Sequence, residues 1–403
     1  MSHTPPDLLD LANYAYGPPH ALFRQLRAED PVHWLAHPDG SGLWAVMKYA
    51  DVVHVSRDPA TFSSYAGGTM VDDAPPPQLA MIRMMMLNMD PPQHTKLRLL
   101  VNKGFTPSAV ARLQQRVREL AARIVDAVAP RGSCDFVAEV AGELPSYVIA
   151  ELVGIPLDDG RRLYRLTERM HTTAETADDH SALESAIAEM MSYSHTLREA
   201  KRARPGSDIA SALLAAEVDG ARLSDVEFDL FFMLLINAGG DTTRNLVAGG
   251  MLALIEHPEQ WARLRAEPGL LPSAIEEMLR WVTPVVHFRR TATRDTVLRD
   301  RRIAAGDKVV IFYSSANRDE DMFADADRFD VARTPNEHVG FGGPGAHHCL
   351  GANLARREIT VVFRELLRRL PDLEITGAPE MLRSIFIHGI KRMPCSFTPG
   401  GAR

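Results

Sequence analysis

Phe341-Gly342-Gly343-Pro344-Gly345-Ala346-His347-His348-Cys349-Leu350-Gly351 gathers four glycines and a proline around one cysteine within eleven residues. Directly after it, apolar residues recur at Leu354, Ala355, Ile359, Val362, Phe363, Leu366, Leu367 and Leu370. That is the i, i+3, i+4 spacing of an amphipathic helix. The pattern delivers Cys349 to a helix N-terminus, where the macrodipole and free backbone N–H groups favour the thiolate. The glycines let backbone crowd close to something flat or charged. A free cysteine is commonly an inert core residue. One carried by a glycine-rich loop to a helix start reads as metal ligation or nucleophilic chemistry.

Composition sets the frame. The chain has 403 residues, 45% hydrophobic and 24% charged, the balance of a soluble globular enzyme. A net charge of −7 argues against nucleic acid as a partner. Cys134, Cys349 and Cys395 show no CxxC spacing, which speaks against a disulfide framework or zinc site and fits a reducing cytoplasm. The N-terminus carries no signal-peptide pattern, and no run of about 18 apolar residues is present to span a bilayer.

Outward from the cysteine, other stretches stand out. Residues 1–18 are Pro-rich and read as an extended arm, followed by a short helix over 19–29. Val32–Ala36 and Leu43–Met47, joined by a turn-rich His37–Gly42, read as a hairpin. A helix around 50–57 precedes an irregular stretch, 65–90, that holds Met81, Met84, Met85, Met86 and Met89 beside Gly and Pro, an adaptable apolar surface. Asp90-Pro91-Pro92 ends that element, and His94 and Arg98 then share one face of the next helix. Helices are expected over 108–129, 136–153 and much of 157–215.

The longest helical pattern, 224–256, is broken by Asn237-Ala238-Gly239-Gly240-Asp241-Thr242-Thr243. Glycine inside a helix costs about 1 kcal/mol relative to alanine, and Asp and Thr bring a proton donor and a hydroxyl into an apolar helix. Glu277 and Arg280 lie three apart on a further helix, able to pair. Residues 302–307 and 308–312 read as a hairpin, 384–390 alternate into a turn, and His388 reads as a solvated turn residue.

These motifs, in this order over roughly residues 20 to 395, resemble cytochrome P450. Phe341–Gly351 resembles its haem-binding loop, except that Phe341 stands eight residues before the cysteine where the usual spacing is seven. This longer loop is similar to that of actinobacterial members that hydroxylate steroid side chains and methyl-branched lipids.

The resemblance implies a mainly α fold with small β-sheets: a triangular prism, one domain over 1–403 with residues 1–18 as its arm, and a long central helix over the haem. It implies Cys349 as the iron ligand of haem b, with Ala238, Gly239, Phe341, Gly345 and Gly351 lining the cofactor. His94, Arg98, Arg290 and His347 would meet the propionates, Arg289 competing with Arg290. Asp241 and Thr242 become the acid–alcohol pair of oxygen activation. Glu277, Arg280 and Arg328 become a structural network. Met84, Met86, Phe231, Leu235, Val285, Val286, Phe288 and Phe386 would line the substrate pocket, and 157–215 would hold a lid. A cysteinate ligand favours O–O cleavage.

The implied reaction is hydroxylation of an unactivated C–H with O2 and two electrons, drawn from NAD(P)H through a ferredoxin and its reductase. A monomer without membrane insertion is expected. The substrate expectation is a terpenoid, steroid or branched lipid; the alternative is a polyketide or peptide in natural-product tailoring. A peroxide-driven fatty-acid hydroxylase would lack the Asp241–Thr242 pair, and a non-enzymatic haem sensor would carry an output module.

Overall fold

Val32–Ala36 and Gly42–Val46 pair antiparallel, with Trp34 opposite Trp44 and their rings 4.9 Å apart. The structure, a computed structural model, describes residues 7–36, 41–102, 107–172, 180–217 and 220–400. The first six residues of the expected arm, the 37–40 part of the hairpin turn and the 173–179 part of the expected lid lie outside them.

The chain forms two compact units, one from Met1–Thr95, Glu276–Cys349 and Met381–His388, the other from Lys96–Ile275, Leu350–Glu380 and Gly389–Arg403. Each gathers three distant segments, so no linker between them is legible in the chain.

The first unit is built on a sheet ordered Val32–Ala36, Gly42–Val46, Lys308–Phe312, His287–Ala292, Phe62–Ser63. Lys308–Phe312 is its centre, parallel to Gly42–Val46 and antiparallel to His287–Ala292. The hairpin expected between 302–307 and 308–312 does not form: Arg301–Ile303 pairs instead with Thr296–Leu298. The reason is burial. Val309, Val310, Ile311 and Phe312 are fully buried, and a run apolar on both faces belongs inside a sheet with a ladder on each side.

The arm, over its described residues, is packed rather than extended. Leu11–Tyr14 is a 3-10 turn capped by Asp10, whose carboxylate accepts from the Ala12 N–H at 2.8 Å. Leu8 and Tyr14 are buried beside Phe23, Leu43 and Phe312, and the Tyr14 hydroxyl donates to the Leu8 carbonyl at 3.0 Å.

The second unit is helical, around Asp225–Glu256. This 32-residue helix, about 48 Å long at 1.5 Å per residue, starts at a capping box: Ser224 and Glu227 each bond the other's backbone N–H. Helices Glu143–Val153, Leu157–Thr172 and His180–Ala203 pack against it. Apolar residues occupy several of its faces, as its burial over most of its surface requires. Ser133–Asp135, Pro394–Ser396 and Glu374–Ile375 form a small sheet in this unit. Among the described residues no single helix is long and apolar enough to cross a membrane.

Candidate active site

In the first unit the glycine-rich loop is pinned by backbone. The Cys349 N–H donates to the Phe341 carbonyl at 2.9 Å, closing the loop, and Gly351 caps the Ala352–Arg369 helix that follows. Gly345 has φ +155°, and a Cβ there would stand 2.3 Å from the Ser56 carbonyl oxygen. Backbone cannot swing away as a side chain can, so only glycine lets the loop lie against the end of the Tyr49–Arg57 helix. Cys349 is exposed, whereas Cys134 and Cys395 are buried, their thiols pushed up to about 12 by burial. Cys349 is therefore the thiol placed to act as a thiolate ligand. Among the described residues no three His, Cys, Asp or Glu side chains come together to hold a metal. One exposed thiol on a crowded glycine loop suits a metal that brings its own macrocycle, and not a bare ion.

Two histidines meet beside this loop. His94 is buried with its ring 4.3 Å from that of His347, and His347 Nε2 lies 3.3 Å from Ser64 Oγ. Arg98 follows one helical turn after His94 and is half-buried. The structure separates Arg289 from Arg290. Adjacent strand residues project to opposite faces, and Arg289 is engaged by Asp73 at 2.7 Å and by the Val71 carbonyl at 3.2 Å. Although burial of Asp73 opposes it, Lys308 and Arg289 hold that carboxyl below its usual range. Arg290 lies on the other face with Phe288, beside the Tyr313 phenol, and donates to the Arg289 carbonyl at 2.7 Å. Arg290 is the arginine whose face can serve an anionic ligand.

Glu277 and Arg280 meet as their spacing allows, and a second cation joins them. Glu277 and Arg280 are fully buried and joined by two bonds, 2.8 and 2.7 Å, while Arg280 also donates to the carbonyls of Asn317 and Ala326. The second cation is Arg333, not Arg328. Arg333 Nε lies 3.1 Å from both Glu277 oxygens; Arg328 is exposed and lends only its carbonyl. Asn336 Nδ2 and the Asp330 N–H complete the donors to Glu277.

In the second unit the long helix runs unbroken through the glycines. Leu235, Ala238, Gly239 and Thr242 form an open strip on this otherwise buried helix. Gly240 faces the other way: a Cβ there would stand 3.1 Å from the Tyr164 ring, so glycine admits the aromatic. Thr242 Oγ1 donates to the Ala238 carbonyl at 2.7 Å. Asp241 is buried, and Arg244 Nη2 lies 3.9 Å from its Oδ1. Arg244 pairs more closely with Glu168, and burial pushes the Glu168 carboxyl up against the opposing pull of Arg244. Sequence reading missed Glu168, Tyr164 and Arg244; the i, i+3 spacing of Asp241 and Arg244 was the available signal.

The expected pocket residues divide. Phe288 and Phe386 are half-buried with rings 5.4 Å apart, beside a half-buried Val285 bridged to Ile387. Val286 is corrected: it is fully buried among Phe312, Val310 and Phe23, because strand alternation turns it from Val285's face into the core. Met84 is exposed and Met86 buried. Phe231 and Leu235 border a small apolar cavity with Val153, Leu213 and Phe228. His388 is not solvated: its Nδ1 bonds the Val282 carbonyl, and burial holds the ring down at about 4.

The cytochrome P450 family model matches residues 10–377. The methyl-branched lipid omega-hydroxylase of Mycobacterium tuberculosis is 44% identical over 388 residues, covering 93% of this chain and 90% of that protein. The steroid C26-monooxygenase of the same organism is 41% identical over 405 residues, covering 97% and 92%. Among solved structures, cytochrome P450 CYP268A2 of Mycobacterium marinum in complex with pseudoionone matches with a TM-score of 0.89 and 40% identity, covering 98% of this chain and 100% of that one. The chain belongs to the cytochrome P450 family: it is a monooxygenase that uses haem b, O2 and electrons from redox partners to hydroxylate hydrophobic small molecules.

Proposed function

We propose that the enzyme hydroxylates the side chain of a steroid or a methyl-branched lipid, with electrons from a ferredoxin and its reductase, as a monomer in the cytoplasm. Cys349 would hold the haem iron. His94, Arg98, Arg290 and His347 would supply donors for the propionates. Phe341, Gly345 and Gly351, with Ala238 and Gly239 of the long helix, would give the remaining contacts to the cofactor. Haem supplies the oxygen activation and the attack on the C–H bond; the chain positions substrate and controls protons.

The proton chemistry follows from two side chains. Thr242 has its own hydrogen committed to the Ala238 carbonyl at 2.7 Å, so its Oγ1 lone pairs act as the acceptor on the open strip. Asp241, one residue away and buried, takes and releases the proton through water. Phe288, Phe386 and Val285 offer an apolar surface in the first unit, with Met84 on the irregular 65–90 stretch; Leu235 lies on the open strip of the long helix.

The observation that carries the reading is the single exposed cysteine on a loop that only glycine can form. Kinship to enzymes named for methyl-branched lipids and steroids supports the substrate class. The test is an optical titration of purified ferric enzyme with a sterol, a sterol ketone, a branched fatty acid, a plain fatty acid and a macrolide. A shift of the main haem band to shorter wavelength is expected with sterol or branched lipid. A shift with macrolide alone overturns the substrate class and favours natural-product tailoring.

A further inference from the structure

One buried guanidinium stands between two carboxylates in the helical unit. Arg244 follows Asp241 by three residues on the long helix, with side chains 9% and 2% exposed. The 3.9 Å between Arg244 Nη2 and Asp241 Oδ1 is too long for a hydrogen bond. The guanidinium is turned toward Glu168 on the Leu157–Thr172 helix, with which Nη1 forms the tighter contact. Its Nε lies 3.3 Å from Asn245 Oδ1, and the Tyr164 ring lies 5.8 Å from its carbon. Tyr164 is admitted to this position because Gly240 has no Cβ. The Glu168 side chain is 38% exposed, so the cluster runs from the surface to the buried acid.

We propose that Glu168 is a positioning residue for Asp241: by engaging Arg244 it keeps the guanidinium displaced from the Asp241 carboxylate, which stays able to take up and release a proton. The inference rests on the reading of Asp241 as the proton-relaying acid. Its physical basis is competition. A cation held against a carboxylate favours the ionised form and makes a poor acid of it. Arg244 cannot make its best contact with both partners, and the partner on the neighbouring helix has it. Removing the charge of Glu168 releases the guanidinium toward Asp241, the nearest remaining carboxylate in the cluster. Tyr164, which also faces Asp241, supplies no cation in exchange.

The experiment uses ferric full-length holoenzyme. Infrared difference spectra follow the carboxyl C=O band that disappears in Asp241→Asn, and its pH midpoint is compared between wild type and Glu168→Gln. The expected result is a midpoint about one unit lower in Glu168→Gln, with a larger solvent isotope effect on turnover. Adding Arg244→Gln to that variant returns the midpoint to the wild-type value or above it. A merely structural Glu168 gives losses that add in the double variant and no movement of the midpoint. An unmoved midpoint in Glu168→Gln, while Asp241→Asn still separates NADH consumption from product, overturns the positioning role alone. If Asp241→Asn leaves product matched to NADH, the reading of Asp241 falls and the inference falls with it.

Discussion

Two acid–arginine pairs in this protein share the same i, i+3 spacing and do opposite things. Glu277 and Arg280 meet through two short bonds with both side chains at 0% exposure. Arg333, Asn336 and the Asp330 N–H complete the donors to Glu277. Asp241 and Arg244 stand 3.9 Å apart, with the arginine turned to a third residue that reaches solvent. The first pair is saturated with donors and holds structure. The second is shared unequally, as the proposed proton-relaying role of Asp241 requires. Spacing on a helix brings the partners together; the surrounding donors decide whether the result is a clamp or a relay.

The largest effect should come from breaking the clamp. Glu277→Ala leaves Arg280 and Arg333 buried without their counter-charge, a loss of about 3–5 kcal/mol, read as a lower unfolding midpoint and poor haem retention. A loss under about 1 kcal/mol contradicts the clamp reading. Asp241→Asn, in contrast, should change the unfolding midpoint little and lower the product-forming rate about 100-fold, with NADH still consumed. Equal damage to stability in both variants would erase the distinction between the two pairs.

A sharper comparison is Arg333→Ala against Arg328→Ala. The first removes charge-assisted bonds to Glu277 and should cost about 2–3 kcal/mol. The second removes an exposed side chain and should stay within about 0.5 kcal/mol. Equal costs would restore Arg328 to the network.

Glu358 gives the most pH-specific effect. It is a buried carboxyl on the Ala352–Arg369 helix, pushed up to about 8 by burial alone. A carboxyl raised in the folded state binds its proton there at pH values where the unfolded chain has released it. Its contribution to stability therefore falls as pH rises from about 4.5 toward about 8, and is level above that. Glu358→Gln should remove this slope and gain most over wild type at pH 8 and above. A constant difference between the two proteins from pH 5 to 8 would show that Glu358 titrates normally.

What could be read from the chain was what depends on local chemistry. The Cys349 loop announces itself by glycines whose absent side chains are required by contact with Ser56. The long helix announces itself by periodicity and its Ser224–Glu227 cap. Glu277 and Arg280 are neighbours on one helix, so their pairing needs no tertiary knowledge. The misses required the path of the chain through space. The family resemblance points to Arg328, and the course of the loop turns Arg333 inward instead. Val285 and Val286 differ by one step of strand parity, which sends Val286 into the core. Glu168 and Arg244 meet across helices 76 residues apart in sequence. Lys308–Phe312 looked like half of a hairpin because its true neighbours, Gly42–Val46 and His287–Ala292, are partners that no turn signal reveals.

The most direct test of the account is the absorbance of the reduced, carbon monoxide-bound enzyme before and after Cys349→His. The wild type should give the long-wavelength band typical of thiolate-ligated haem. The variant should lose it while the reduced, carbon monoxide-free protein still holds haem. Persistence of the thiolate band in Cys349→His would contradict the central claim, because Cys134 and Cys395, the remaining cysteines, lie buried in the strand pair Ser133–Asp135 and Pro394–Ser396.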